Sequence, residues 1–475
     1  MTQSTLAEED VELPVGYRYR WWVMVAVIIA DVMDLLDSTI TSLAGPSIRA
    51  DIGGSESTLQ WILAAYTLTF SVGLISSARA GDIVGRKQMF VIGMIGFTVF
   101  SLACGLAPTA GALITFRALQ GLFGAVMLPH GFAMVKQSFK EEDLQKAFIP
   151  FGPIMGLMAV LGPILAGFLI DANIFGSHWR SIFLINVPVG IVGAYVAVRF
   201  LPRLPTVRSA RLDPLGSLLV TVAAGALIYP LVQGRELGWP AWTYAMIAAA
   251  VALFGVFAWT ERRSEHPVIE PSLFRKRGFV AGVLFLGSFF LAMSGLSLVL
   301  QLYMQYGLGY KPSHAAIVQI PYALGISIGA ALGGAVLGPK LGRLCLHIGL
   351  VVTVAAMAWY AVIVHGGVTS GWDFTAPYLV AGLGSGLIFA PLFDIILASL
   401  DDNEVGTGSG LLNAMQQFSG SLGVAVIGTL FFNWLPRHGF NVSTAWAAWV
   451  TVGAYALSFV VAFGLPRRSR EGGIH

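Results

Sequence analysis

The chain has 475 residues, of which 56% are hydrophobic and only 11% are charged, and its formal net charge is +3. Average soluble domains carry about 25% charged residues. This composition excludes a globular enzyme with a membrane anchor and indicates a polytopic membrane protein. The two cysteines, Cys104 and Cys345, lie in or beside apolar segments, so we expect small apolar side chains there rather than a disulfide or a metal site.

Apolar runs of about 20 residues predict an all-α protein with fourteen transmembrane helices. The acidic N-terminal segment lacks the basic region of a signal peptide, so we expect the first apolar run to be retained. The longest connection, 261–278, is too short for a separate soluble domain. The predicted spans are 20–46, 59–79, 88–106, 112–135, 146–170, 181–201, 213–232, 241–260, 279–303, 315–337, 345–364, 376–398, 405–431 and 444–464.

Lysine and arginine are distributed unevenly over the predicted connections. With the N-terminus in the cytoplasm, the inner segments carry 21 of these residues and the outer loops carry five. Basic residues favour the cytoplasmic side of a membrane, so we expect both termini to be cytoplasmic. The sequence has no G-x-x-x-x-G-K-[ST] phosphate loop and no His/Cys cluster, which argues against ATP-driven transport, a metal and any other cofactor.

The first predicted helix carries three carboxylates in an apolar stretch, Asp31, Asp34 and Asp37. Their i, i+3, i+6 spacing places them within about a 120° arc of one helix face. An ionised aspartate at the centre of a membrane helix costs roughly 2.5–3.5 kcal/mol, so this face should line water, a protein partner or a proton path. We interpret it as a coupling and binding face. The alternative is that one or two of the aspartates are merely solvated or bonded to neighbouring helices.

Arg117 is a further charge inside an apolar span, the predicted fourth helix. Arginine keeps its charge at any accessible pH and needs a partner when it is buried. The aspartates of the first helix are the nearest chemical candidates. A purely structural salt bridge remains the alternative interpretation.

A short motif recurs in two turns on the predicted cytoplasmic side. The frame G-x-x-x-G-R occurs after the second predicted helix and again after the tenth, at equivalent places in two six-helix blocks. This recurrence indicates two parallel halves with a substrate site between them. Either turn could latch and release two helices, or could simply hold the loop in the cytoplasm. The gating candidates in these turns are Asp82, Gly85, Arg86 and Lys87 in the first, and Gly338, Gly342 and Arg343 in the second.

Several motifs resemble those of the major facilitator superfamily. The first turn matches the superfamily's loop at its aspartate, second glycine and basic pair, and departs from it at Ala78 and Ile83. The segment Leu113-x-x-x-Arg117-x-x-Gln120-Gly121 is similar to the superfamily's fourth-helix motif. That similarity implies a role for Arg117 in proton transfer.

Two other segments narrow the resemblance to the fourteen-helix drug:proton antiporters. Gly162 and Pro163 lie in a glycine-rich run similar to the antiporter motif of drug exporters, and this similarity implies efflux. The two residues are therefore further gating candidates. The alternative is that the glycines only allow close packing of neighbouring helices. The segment 36–46 resembles the family's first-helix signature at Asp37, Thr39, Ala44 and Pro46. Asp37 and Asp34, with Arg117, are therefore the proton-coupling candidates.

The resemblance implies the major facilitator fold, two six-helix bundles plus two intercalated helices. We expect bundles over 20–204 and 279–465, two extra helices and a linker over 205–278, and cytoplasmic tails over 1–19 and 466–475. Polar residues of the predicted helices are candidates for contacting substrate, although each is equally suited to bonding helices together. They are Asp34, Asp31, Gln301, Gln305, Gln319, Tyr322, Asn413, Gln416 and Gln417.

The implied function is proton-coupled efflux of drugs or other hydrophobic or amphipathic molecules, cationic ones included, across the cytoplasmic membrane of a bacterium. The expected partners are the small-molecule substrate, protons and membrane lipids, with no nucleic acid and a monomeric chain. A proton symporter or facilitator of a small solute on the same fold is one alternative. A polytopic membrane enzyme or sensor is another, although the sequence shows no cluster of catalytic groups at one interface.

Overall fold

The structure is a computed structural model that describes residues 17–140, 143, 151–203, 213–264, 269–367, 370–401 and 404–468. Every regular element among these residues is helical, which confirms the predicted all-α class. The start of the predicted fifth span, 146–150, lies outside the described residues, as do most of the two predicted tails and part of the linker.

Fourteen helical segments account for the predicted spans. Eleven helices of the described chain are long and apolar enough to cross a membrane. The last of them, Val405–Ala462, is broken at Gly439, where φ is 72°. Counting its two arms separately, and adding the carboxylate-bearing first helix and the helix over Phe151–Ala172, gives fourteen.

The helices are numbered in chain order. They are α1 (Arg20–Ile52), α2 (Glu56–Val84), α3 (Arg86–Gly105), α4 (Ala110–Ser138), α5 (Phe151–Ala172), α6 (His178–Phe200), α7 (Pro214–Gln233), α8 (Ala241–Glu261), α9 (Arg277–Gly307), α10 (Pro312–Leu341), α11 (Arg343–Gly366), α12 (Gly371–Leu397), α13 (405–438) and α14 (440–462). We call the end of the bundle where α1 ends and α2 begins the upper end, and the opposite end the lower end.

Glycine and proline set several helix boundaries. Gly85 has φ of 107°, a conformation that glycine adopts without steric cost, and it reverses the chain between α2 and α3. Pro214 occupies the first turn of α7, where a missing N–H costs nothing, and the Asp213 side chain caps the same end by accepting from the Gly216 N–H at 2.9 Å.

The helices of each half pack mainly on one another. In the first half, α1 packs against α4, α5 and α6, and α2 and α3 pack against α4. In the second half, α9 packs along α13, and α12 contacts both α10 and α11. Helix α7 contacts α2 of one half and α13 of the other, while α8 packs mainly on α7. The additional pair therefore lies beside the boundary between the halves.

The two halves are joined at the upper end by hydrogen bonds to backbone atoms. The Gln60 side chain of α2 donates to the Val424 carbonyl of α13 at 2.9 Å and to that of Ala425 at 3.2 Å. The Gln305 amide of α9 donates to the Leu43 carbonyl of α1 at 2.8 Å. These bonds hold the upper end closed in this structure.

A carboxylate and a glycine of α5 also contact the second half at the upper end. The Asp171 carboxylate accepts from the Ser313 N–H, in the first turn of α10, at 3.1 Å. A Cβ on Gly167 would lie 2.6 Å from the Ser313 Cα, so only glycine permits this approach of the two backbones.

Candidate functional site

Asp37 and Arg117 form a buried ion pair between α1 and α4. Both side chains are 1% exposed. Gln120, one turn after Arg117, donates to Asp37 Oδ1 at 2.8 Å and accepts from the Arg117 guanidinium at 2.8 Å. Arg117 Nε also donates to the Ile62 carbonyl at 3.3 Å. Asp37, Arg117 and Gln120 thus form a closed, fully buried triangle.

Tyr66 of α2 connects this triangle to Asp34. The Tyr66 hydroxyl donates a hydrogen bond to Asp34 Oδ1, and the Arg117 guanidinium lies 4.2 Å from the centre of the Tyr66 ring. A cation over an aromatic face is attracted by the ring quadrupole. Asp34 is half-buried and its recorded partner is a neutral phenol, whereas Asp37 is fully buried against a cation.

Asp31 lies one turn before Asp34 and is also half-buried. Its Oδ2 atom is buried and has no hydrogen-bond partner among the described residues. The structure therefore places all three aspartates on α1 but gives them three different environments, which their common spacing did not reveal.

The charges of this cluster do not balance when its carboxylates are ionised. Arg117 supplies one positive charge, which Asp37 uses directly, so Asp34 adds an uncompensated negative charge in a half-buried position. Buried charge is costly unless it is paired. The cluster of Asp34, Asp37, Tyr66, Arg117 and Gln120 can therefore take up one proton or one cationic group.

The predicted antiporter motif places α5 against the same part of α1. A Cβ on Gly162 would lie 2.9 Å from Leu36 Cδ2 and 3.3 Å from the Thr39 hydroxyl oxygen. Gly162 is buried and Pro163 is half-buried in the middle of α5. The motif thus packs α5 onto the turns of α1 that carry Asp34 and Asp37.

The two repeated turns make equivalent contacts at the lower end. In the first turn, Lys87 Nζ donates to the Val198 carbonyl at 2.9 Å and to that of Leu201 at 2.6 Å, at the end of α6. In the second, the Arg343 guanidinium donates to the Phe463 carbonyl at 2.6 Å and to that of Leu465 at 2.9 Å, after α14. Each basic side chain satisfies carbonyls at the end of the last helix of its own half.

The other predicted gating residues lie in the same two turns. Asp82 and Arg86 form an i, i+4 salt bridge at 3.2 Å within the first half. A Cβ on Gly342, where φ is 53°, would lie 2.1 Å from the Arg467 carbonyl oxygen, and one on Gly338 would lie 2.4 Å from the Gly333 carbonyl oxygen. The contacts of Asp82 and Gly342 connect helices within one half, and that of Gly338 lies within α10. A gating role remains a prediction.

The predicted substrate residues of the second half are scattered in this structure. Gln305 is engaged in the upper-end closure, Gln319 donates to the Ala315 carbonyl of its own helix at 3.1 Å, and the Tyr322 hydroxyl donates to Ser385 at 3.5 Å. Among the described residues, none of the second-half candidates is hydrogen-bonded to the α1 aspartates or to Arg117. Gln301 is buried, Asn413 is exposed, and Gln416 and Gln417 are half-buried.

Two residues of the cluster were not predicted as site residues. Gln120 lies three residues after Arg117, on the same helix face, so the spacing alone could have identified it. Tyr66 comes from another helix, and the sequence gives no sign that its hydroxyl meets Asp34. In the part of the chain that the structure describes, no group of three or more His, Cys, Asp or Glu residues could hold a metal ion.

Comparison with known proteins identifies the family. The sequence model of the Major Facilitator Superfamily matches residues 27–424. The chain belongs to the major facilitator superfamily. It is 46% identical over 446 residues to a probable actinorhodin transporter of Streptomyces coelicolor, covering 91% of this chain and 77% of that protein. It is 32% identical over 455 residues to a puromycin resistance protein of Streptomyces alboniger, covering 94% of this chain and 89% of that protein.

A solved transporter structure has the same fold. A peptide transporter crystallised with sulfate superposes with a TM-score of 0.66 at 15% sequence identity, covering 92% of this chain and 93% of that one. At that identity the likeness shows the fold alone. The predicted family and the predicted major facilitator fold are both confirmed, and the protein is a multi-pass membrane protein of a transporter family.

Proposed function

We propose that this transporter exports hydrophobic or amphipathic small molecules, cationic ones included, across the cytoplasmic membrane in exchange for protons. The observation that carries the proposal is the buried cluster in which one arginine faces two carboxylates. Relatives whose names denote actinorhodin transport, puromycin resistance and tetracenomycin C export support a drug-like substrate. We propose no enzymatic reaction and no cofactor for the chain.

The exchange follows from competition for one uncompensated charge. Arg117 neutralises Asp37, so Asp34 is the carboxylate that gains most from a proton or from a cationic or hydrogen-bonding substrate. A proton and a substrate that satisfy the same carboxylate cannot both remain bound, and this makes their transport opposite in direction. One unit charge moved across 100 mV is worth about 2.3 kcal/mol, which is enough to support a useful drug gradient.

The proposed orientation places the lower end and both termini in the cytoplasm. The excess of lysine and arginine on that side supports it. The closed upper end then agrees with a state that faces inward and takes substrate from the cytoplasm. We propose that 20–204 and 279–465 rock against each other as a monomeric unit around the aspartate cluster, and that α7 and α8 cover their boundary.

Drug susceptibility in a host stripped of its own pumps tests this function. Expression of the chain should raise the inhibitory concentration of several amphipathic drugs, and a protonophore should abolish the effect. Asp37→Asn should abolish it as well, because the Arg117 charge would lose its partner. Protonophore-resistant export, or full export of every transported drug by Asp37→Asn, would refute proton coupling at this cluster.

The direction of transport in vesicles separates export from the symporter alternative. In everted vesicles, acidification of the lumen should drive drug accumulation, because an antiporter exchanges luminal protons for external drug. A symporter would instead release the drug from such vesicles. Accumulation that requires protons and drug to move in the same direction would therefore favour the symporter.

A further inference from the structure

Building on the rocking motion proposed above, we infer that the additional helix pair, α7 and α8, moves with the first half and slides over the second. The pair is connected by the loop 234–240 and lies beside the boundary between the halves. Rocking of the halves must therefore shift the pair relative to one of them. The kind of contact on each side decides which one, because hydrogen bonds hold two helices at one relative position whereas apolar contacts have no preferred direction.

Two charged residues of the 234–240 loop bind the first turn of α2. The Glu236 carboxylate accepts from the Ser57 N–H at 2.9 Å and from the Ser57 hydroxyl at 2.8 Å. Arg235 forms a salt bridge with Glu56, and their side chains are 20% and 24% exposed. The first N–H groups of a helix have no partner within the helix, so Glu236 caps α2 from outside it.

Hydrogen bonds between α2 and α7 continue toward the lower end. The Trp61 indole donates to the side-chain oxygen of Gln233 at 3.3 Å. Fifteen residues further along α2, about 22 Å of helix rise, the Ser76 and Ser217 hydroxyl oxygens lie 2.7 Å apart. Ser217 donates its own proton to the Asp213 carbonyl at 2.8 Å, so Ser76 is the donor. Helices α2 and α7 are therefore fixed to each other over most of their length.

The contact of the pair with the second half is mostly apolar. Ile228 and Val232 of α7 are 0% and 1% exposed and pack in a cluster with apolar residues of α2, α9 and α13. Phe254 of α8 packs edge-on against Phe418 of α13, with their ring centres 6.1 Å apart. Such contacts can be exchanged for others of the same kind when packed helices slide past each other.

Polar contacts with the second half are fewer than those with α2. Among the residues that the structure describes, one side-chain hydrogen bond joins α7 to that half, from the Thr429 hydroxyl to the Leu231 carbonyl at 2.7 Å. The Arg235 guanidinium also lies 5.6 Å from the centre of the Phe432 ring. Separation from α2 would break the Arg235 salt bridge and remove the Glu236 cap, whereas separation from α13 would break one hydroxyl bond and one cation–π contact. The pair should therefore stay with the first half.

Cross-linking of cysteine pairs in proteoliposomes tests the inference, with drug counterflow as the readout. In a parent without the two native cysteines, a short bis-methanethiosulfonate reagent would join α2 to α7 through Ser76→Cys/Ser217→Cys, or α7 to α13 through Leu231→Cys/Thr429→Cys. The first link should leave counterflow within about twofold of that of the untreated protein. The second should lower counterflow at least about tenfold, because it ties the two halves together, and cleavage of the link by a reductant should restore it.

Loss of counterflow with the α2–α7 link, or full counterflow with the α7–α13 link, would overturn the inference. A parent that moves no drug before cross-linking would instead contradict the proposed function, and spin labels then test the inference without a drug. A label on Ala241→Cys, at the exposed start of α8, should keep its distance from Gly111→Cys of the first half when Gln60→Leu opens the upper end. Its distance from Asn433→Cys of the second half should become longer. A changed Ala241–Gly111 distance, or an unchanged Ala241–Asn433 distance, would also overturn the inference.

Discussion

Arg117 illustrates how one residue determines the character of the site. Its guanidinium binds Asp37, Gln120 and the Ile62 carbonyl while lying over the Tyr66 ring. A lysine has one ammonium group and no planar face, so it cannot make all of these contacts. We infer that the arginine both neutralises Asp37 and fixes the position of the phenol that meets Asp34.

Removing one member of the Asp37–Arg117 ion pair should destabilise the protein more than removing both charges. Arg117→Ala leaves Asp37 buried and unpaired, and we expect a loss of roughly 3–5 kcal/mol of stability. The double variant Asp37→Asn/Arg117→Gln keeps hydrogen-bonding groups without charge, so it should lose less stability than Arg117→Ala. Unfolding of the purified proteins in detergent measures both. A double variant that is less stable than Arg117→Ala would contradict a direct ion pair between Asp37 and Arg117.

From the sequence, only those features of the cluster that lie on a single helix could be predicted. The spacing of the α1 aspartates and the isolated Arg117 were visible because a charge in an apolar run is costly wherever it points. The rotation of α1, α2 and α4 about their axes decides that Asp37 rather than Asp34 pairs with Arg117. The same rotation places Tyr66 between Asp34 and Arg117. Helix rotation depends on packing against several neighbours at once, which no local pattern records.

At the scale of elements, the two halves use the same lower-end contact with different residues. Lys87 binds the end of α6, and Arg343 binds the residues that follow α14. The repeated G-x-x-x-G-R frame predicted equivalent turns, but it aligned Arg343 with Arg86 rather than with Lys87. The two turns are equivalent because in each a basic side chain binds the carbonyls at the end of the last helix of its half. The basic residue that does so can stand at the arginine position of the frame, as Arg343 does, or one position later, as Lys87 does.

The beginnings of α9 and α13 are joined by a salt bridge that should make stability depend on pH. Lys276 contacts Glu404 and lies 2.7 Å from Asp401, and its hydrogen bond lowers the pKa of Glu404 from 4.5 to about 2. A carboxyl whose pKa is depressed in the folded state contributes stability that is fully present above its unfolded pKa and is lost as pH falls.

Substituting Glu404 should therefore remove a pH-dependent part of stability. The melting temperature of Glu404→Gln should lie below that of the wild type at pH 7, and the difference should shrink between pH of about 4.5 and about 2. Asp401→Asn is the matched control, since Asp401 is 75% exposed and should contribute less. A difference between Glu404→Gln and the wild type that stays constant across this range would exclude the salt bridge as its cause.

At the scale of the whole molecule, Gln60 is one of the side chains that join the two halves at the closed upper end. Gln60 is 1% exposed and donates to carbonyls of α13, at a point where α2 and α13 of the two halves cross. These helices are also packed closely, since a Cβ on Gly428 would lie 2.5 Å from the Gln60 amide nitrogen. Weakening this contact should favour the state in which the upper ends separate.

Gln60→Leu tests that expectation directly. Spin labels on Gly111→Cys and Asn433→Cys, one in each half at the upper end, should show longer distances in Gln60→Leu than in the parent. The parent carries Cys104→Ala and Cys345→Ala. Gln233→Leu is the control, because it breaks a hydrogen bond from Trp61 of α2 to α7 without touching α13. Identical distance distributions in Gln60→Leu and the parent would show that this contact does not hold the end closed.

Proton-coupled export depends most on Asp34 as the carboxylate that exchanges a proton for substrate, and transport by reconstituted Asp34→Asn tests this most directly. In proteoliposomes with an imposed pH gradient, gradient-driven drug transport should fall at least about tenfold. Counterflow of an uncharged drug without a gradient should persist, because an amide still hydrogen-bonds the drug but exchanges no proton. Asp51→Asn, beyond the cluster at the upper end of α1, should transport like the wild type. Gradient-driven transport by Asp34→Asn at the wild-type rate would show that Asp34 is not the carboxylate that exchanges the proton.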